Sequence, residues 1–85
     1  MELDPLGPMP IYRQIAAVIA ERIDNGTYPP NRAIPSEAKL CEEFDVSRKT
    51  VRAGLTLLID EKRLLPVKGK GVYVVDRQNS DVEGA

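Results

Sequence analysis

The chain has no histidine at all and one cysteine, Cys41, among its 85 residues. A lone thiol forms no internal disulfide, and without histidine or a second cysteine there is no ligand set for a zinc site. A metalloenzyme is thereby excluded. No nucleotide-binding glycine loop is present, no pair of carboxylates sits in an apolar pocket pattern, and Ser47 has no base within its motif, so an enzyme of any familiar class lacks its parts. Cofactors are expected to be none. Cys41 stands among Leu40 and Phe44 on a predicted helix, where it reads as a small packing residue. No apolar run approaches the roughly 20 residues that a membrane span requires. Met1-Glu2-Leu3-Asp4-Pro5 lacks the basic start and apolar centre of a secretion signal. The expected setting is soluble, reducing and cytoplasmic, with no membrane partner.

What is present is one small domain. A chain of this length buries roughly 60% or more of its unfolded surface around a single core. The net charge of −1 hides an asymmetry: residues 47–70 carry seven cations against two anions, a net of +5, which leaves −6 on the remainder. A basic face on an acidic body suits steered binding of a polyanion, the acidic part discouraging wrong orientations.

Residues 1–9, rich in proline and glycine, predict a loose arm. A first helix is expected from near Pro10 to Asn25-Gly26, with Ile11, Ile15, Val18, Ile19 and Ile23 as an inward stripe and Arg13, Gln14, Glu21 and Arg22 on wetter sides. Turn chemistry over Thr27-Tyr28-Pro29-Pro30-Asn31 precedes a very short strand at Ala33-Ile34, whose partner would be the later sheet. Ser36 caps a second helix ending near Phe44, with Glu37 favourable in its first turn. Asp45 falls where the chain must reverse in a left-handed conformation, and Val46 plugs the angle. Ser47 caps a third helix from Arg48 to about Lys62, with Val51, Leu55, Leu58 and Ile59 inward and Arg48, Lys49 and Arg52 opposite. Gly54 inside that helix suggests close packing against the second helix. Leu64-Leu65-Pro66-Val67 and Val72-Tyr73-Val74-Val75 flank Lys68-Gly69-Lys70-Gly71 as a β-hairpin. Residues 76–85 are polar and acidic, the pattern of a frayed tail or the start of a linker. The fold class is α+β: three helices closed by a small antiparallel hairpin, a winged helix-turn-helix.

The third helix carries the most informative feature. A helix N-terminus holds roughly half a positive charge and favours acids, so Arg48 and Lys49 directly after the Ser47 cap oppose the dipole by ~0.3–1 kcal/mol each. Cations placed against local stability point to an external anion, and two helices joined by a tight turn with basic residues on the second suggest DNA.

On these residues the chain resembles the DNA-binding domain of the GntR family of bacterial transcription regulators, over about residues 10–75. Pro10-Ile11-Tyr12-Arg13-Gln14-Ile15 is similar to the family's first-helix opening, most of all in its HutC-type branch. Pro35-Ser36-Glu37 resembles the start of helix two, Val46-Ser47-Arg48-Lys49-Thr50-Val51-Arg52 the recognition helix, and Gly69-Lys70-Gly71-Val72-Tyr73-Val74 the glycine-containing wing. The resemblance implies a recognition helix in the major groove and a wing tip at the adjacent minor groove. It also marks three departures: Ala38, Ala33 and Ala53 stand where the family usually has two arginines and an acid, so operator preference does not transfer.

The candidate DNA-binding residues are Ser36, Lys39, Ser47, Arg48, Lys49, Thr50, Arg52, Lys68, Gly69 and Lys70. Arg48 is the candidate for bidentate readout of guanine, while the lysines act as point charges on phosphate. Hydroxyls and free N–H groups at the helix starts add anion donors, and Gly69 lets the wing backbone approach. The expected partner is double-stranded DNA carrying a pseudo-palindromic operator, bound by a homodimer formed on DNA or through a C-terminal domain. The reading leans to an excised domain of a larger regulator, a repressor, with no small-molecule site in these residues. The alternative is a winged-helix module that docks an acidic protein partner.

Overall fold

A computed structural model describes residues 3, 4 and 6–76. Three helices, α1 (Ile11–Asp24), α2 (Glu37–Phe44) and α3 (Arg48–Asp60), are followed by β1 (Leu64–Val67) and β2 (Gly71–Val74). The strands pair antiparallel with Leu64 opposite Val74 and Val67 opposite Gly71. The second strand starts and ends one residue earlier than expected, because Gly71 already pairs across the turn. Ala33 bridges Tyr73, and Ile34 N–H donates to the Val72 carbonyl at 2.8 Å, so the short strand foreseen at Ala33-Ile34 borders β2. β1 is left as an edge strand, where Pro66 is tolerated.

Pro10 begins α1 through its carbonyl, which accepts from Arg13 and Gln14 N–H at 3.1 Å each. Ile15, Ala16 and Ile19 are buried, and Ile11, Val18 and Ile23 pack half-buried at the stripe's margins. Gly26, at φ +87°, turns the chain out of the helix. In the described part of residues 1–9, Asp4 N–H donates to Gln14 Oε1 at 2.7 Å, and Gln14 Nε2 donates to the Asp4 and Met9 carbonyls at 2.8 and 2.7 Å. The tail expected over 76–85 lies outside the described residues apart from Asp76.

Leu40 and Phe44 of α2 meet Val51, Leu55 and Leu58 of α3 in the core, which Leu64 and Val74 close from the sheet. α3 ends at Asp60, two residues short of expectation, because Lys62 turns left-handed at φ +65°. Its N–H donates to the Ile59 carbonyl at 3.0 Å and Arg63 N–H to the Leu58 carbonyl at 2.9 Å, the paired bonds of a helix-ending motif that glycine usually serves. Gly54 packs against α1, not α2 as expected. A β-carbon there would lie 2.9 Å from the Tyr12 carbonyl oxygen and 3.3 Å from Ile15 Cγ2. Helical periodicity shows that a small residue faces a neighbour, but which neighbour depends on the packing angle.

Arg22 also departs from expectation. Expected on a wetter side of α1, its side chain keeps only 16% exposure. Its guanidinium forms an ion pair with Glu43, donates to the Tyr28 hydroxyl at 2.6 Å and lies over the Phe44 and Tyr28 rings at 5.5 and 5.6 Å. The apolar stem spans the α1–α2 seam while the charged end finds a carboxylate.

Candidate nucleic-acid interface

Three chain features built on separate elements converge on one side of the molecule. Ser36 Oγ accepts from Lys39 N–H at 3.2 Å, which starts α2, and Ser47 Oγ accepts from Thr50 N–H at 3.2 Å, which starts α3. Between them Asp45 takes φ +57° and ψ +51°, and Val46 N–H returns to the Cys41 carbonyl at 3.2 Å. Asp tolerates that left-handed conformation better than most residues, and the turn sets the angle at which α3 leaves α2. The wing tip is a tight turn closed by Lys70 N–H to the Val67 carbonyl at 3.0 Å, with Gly69 at φ +79° and open space where its side chain would be. Glycine is required there for conformation, whereas at Gly54 it is required for room.

The groove between α2, α3 and the wing encloses about 780 Å³ and is lined by Ser36, Glu37, Ala38, Arg48, Arg52, Lys68, Gly69 and Lys70, together with Ile34, Pro35, Val67, Gly71 and Val72. Six of the ten sequence-predicted site residues therefore share one surface. Arg48, Lys68 and Lys70 are exposed, and their side chains have no hydrogen-bond or ion-pair partner among the described residues. Arg52 does have one: its Nε donates to Glu37 Oε2 at 2.8 Å, which favours the charged guanidinium still further. Arg52, expected on the face opposite the core as a DNA-binding candidate, is thus tethered, and Glu37, read only as a helix-start acid, enters the site. No residue spacing reveals that contact, because it crosses from α2 to α3.

The remaining four predicted residues lie outside the groove lining. Lys49 and Thr50 border a smaller cleft of about 350 Å³ with Ile11, Tyr12 and Ala53, on the α1 side of the α3 start. Sequence reading missed Tyr12 as a neighbour of this cleft. Ser47 is exposed at the cap, where its hydroxyl lies 3.1 Å from Thr50 Oγ1, and Lys39 is exposed on α2. Arg63, counted within the basic segment, turns away from the groove to an ion pair with Asp24 and to the Ala20 carbonyl at 3.5 Å, leaving 13% of its side chain exposed. The +5 of residues 47–70 is therefore not all on one face. Among the described residues no group of three or more His, Cys, Asp or Glu could hold a metal ion, and no helix is long and apolar enough to cross a membrane.

Arranged this way, the groove offers guanidinium and ammonium donors, two helix N-termini and a glycine-relieved turn to a curved anionic surface, the chemistry that a phosphodiester backbone and exposed base edges satisfy. Residues 11–74 match the model of bacterial regulatory proteins of the gntR family. The mannosyl-D-glycerate transport/metabolism system repressor MngR of Escherichia coli (strain K12) is 44% identical over 78 residues, which cover 91% of this chain and 32% of that protein. A histidine utilization repressor of Pseudomonas putida is 36% identical over 70 residues, 82% of this chain and 28% of that one. The DNA-binding domain of AraR, solved in complex with operator ORX1, superimposes with a TM-score of 0.80 at 32% identity, covering 88% of this chain and 93% of that one. The chain spans about a third of the length of these two repressors.

Proposed function

The chain belongs to the gntR family of bacterial regulatory proteins, and from that premise we propose that it reads operator DNA as the winged-helix part of a transcription repressor. The observation that carries the reading is the groove in which the start of α3, with Arg48 and Arg52, faces Lys68, Gly69 and Lys70 of the wing. α3 enters the major groove, where the Arg48 fork donates to O6 and N7 of a guanine. Lys39 and Lys49 neutralise phosphates on either side, and the hydroxyls and free N–H groups at Ser36, Ser47 and Thr50 add uncharged phosphate contacts. Lys68 and Lys70 take the phosphates flanking the adjacent minor groove, which Gly69 lets the wing backbone approach. Residues 10–75 act as the binding unit between an arm at 1–9 and a tail or linker at 76–85. Two copies bind a pseudo-palindromic operator, one helix per half-site with half-sites about 34 Å or a multiple apart, and the setting is the cytoplasm.

Selection of duplexes from a random pool tests DNA binding, symmetry and spacing together. On a selected duplex, log affinity falls with log salt at a slope of about −0.9 per phosphate contacted. Lys70→Ala weakens selected and unselected duplexes alike and reduces that slope by about 1. No binding to any duplex at low salt overturns the proposal and leaves the protein-docking alternative.

A further inference from the structure

Glu37 is an acid inside a groove whose other charged lining residues are cations: Arg48, Arg52, Lys68 and Lys70. A carboxylate facing phosphates opposes binding of any nucleic acid. Its position at the start of α2 accounts for an acid in general, yet the dipole is served equally by a carboxylate that points away from the groove. The 2.8 Å contact from Arg52 Nε is what distinguishes this one. The pair is exposed, 64% for the Arg52 side chain and 30% for Glu37, and exposed ion pairs add little to fold stability. The contact therefore does something other than hold α2 to α3.

The geometry of the guanidinium shows what. With Nε occupied, the two terminal nitrogens have no partner among the described residues, and a planar fork held at one edge presents the other edge in a restricted set of directions. An untethered arginine at the same place settles on the nearest phosphate; a tethered one keeps two parallel donors for a base edge. We propose that Glu37 is a positioning residue that turns Arg52 into a second base-reading arginine beside Arg48, exchanging some general affinity for DNA for sequence discrimination. The inference rests on the DNA-binding reading of the same groove.

The test uses the whole chain, a duplex recovered from a random pool, its single-base-pair variants and an unselected duplex of equal length. Glu37→Ala, which removes both the acceptor and the charge, is expected to lower the preference at one base pair per half-site by about tenfold. It is also expected to tighten binding to the unselected duplex about threefold, since one like charge has left the groove. Glu37→Asp keeps the charge but falls short of Nε, so it loses the same preference. In an Arg52→Ala background, Glu37→Ala has no further effect on base preference, because the residue it acts through is gone. An unaltered preference profile in Glu37→Ala, equal weakening of every duplex, or a preference loss from Glu37→Ala that persists in the Arg52→Ala background overturns the positioning role while the DNA-binding reading stands. Wild-type protein that binds no duplex overturns both.

Discussion

Arg22 and Arg63 bury most of their length, with 16% and 13% of the side chain exposed, and each ends on a carboxylate, Glu43 or Asp24. Arg48, Lys49, Lys68 and Lys70 are exposed and end on no partner among the described residues. The two groups occupy different regions, the seams by which α1 packs on its neighbours and the face formed by α3 and the wing. The difference teaches that net charge along the chain is a poor guide to a binding surface. A cation whose stem can lie across a helix seam is drawn inward by packing and by a nearby acid. One at a helix start with no acid in reach stays out, and it stays out against the helix dipole. Arg52 stands between the groups: it lines the groove and yet has a carboxylate.

The comparison breaks most severely at Arg22. Its guanidinium serves the Glu43 carboxylate and the Tyr28 hydroxyl and covers the Phe44 ring. Arg22→Ala leaves both oxygens without their donor, so it is expected to cost about 2 kcal/mol in denaturant unfolding. DNA affinity of the folded protein should be unchanged. Arg48→Ala is the mirror image: stability within about 0.5 kcal/mol of the parent, but ~1–3 kcal/mol lost on the preferred duplex with relaxed choice at one base position. Equal weakening on all sequences would show Arg48 to be a phosphate contact only.

Gly54→Ala tests the seam without touching charge. The new methyl must displace the Tyr12 carbonyl or shift α1. That costs ~1–3 kcal/mol, partly offset by ~1 kcal/mol of helix propensity. A net loss of about 1 kcal/mol in thermal or denaturant unfolding is expected; a gain would mean that α1 and α3 are further apart. Lys62 holds its left-handed conformation with a β-carbon present. That position costs roughly 1–2 kcal/mol for such a residue, and glycine's extra unfolded freedom returns part of the relief, so Lys62→Gly should stabilise by about 0.5 kcal/mol in the same unfolding measurement. The smallest effect is with acid. The hydrogen bond from Arg22, opposed by partial burial, holds the Glu43 carboxyl below its usual 4.5. The unfolded chain therefore takes up that proton first as pH falls. The pair's contribution is complete above about 4.5 and is lost progressively as pH drops through the lower folded value. The acid-unfolding curve of Glu43→Gln should lack that component.

Much of the fold was legible because its signals are local. The Ser36 and Ser47 caps, the left-handed Asp45, the isoleucine stripe of α1 and the glycines between two β-rich runs each depend on residues within a turn or two of one another. The groove was legible in part for the same reason: Arg48 and the wing residues belong to motifs with their own turn chemistry. Arg22, Arg63 and Gly54 were misread because each depends on a residue at least 21 positions away, and the partner is selected by interhelical angle and distance. Glu37 escaped notice as a site residue because an acid at a helix start already has a local explanation.

The sequence by itself determined where the helices begin, which apolar stripes turn inward and that the basic residues cluster after position 47, since backbone dihedral preferences and hydrophobic period act over a few residues. Only the tertiary structure decided which cations stay available. That choice follows from whether a carboxylate on another element comes within hydrogen-bonding distance of a guanidinium, as Glu37 does at 2.8 Å from Arg52. Such a distance is set by the packing of whole helices, which no short stretch of chain encodes.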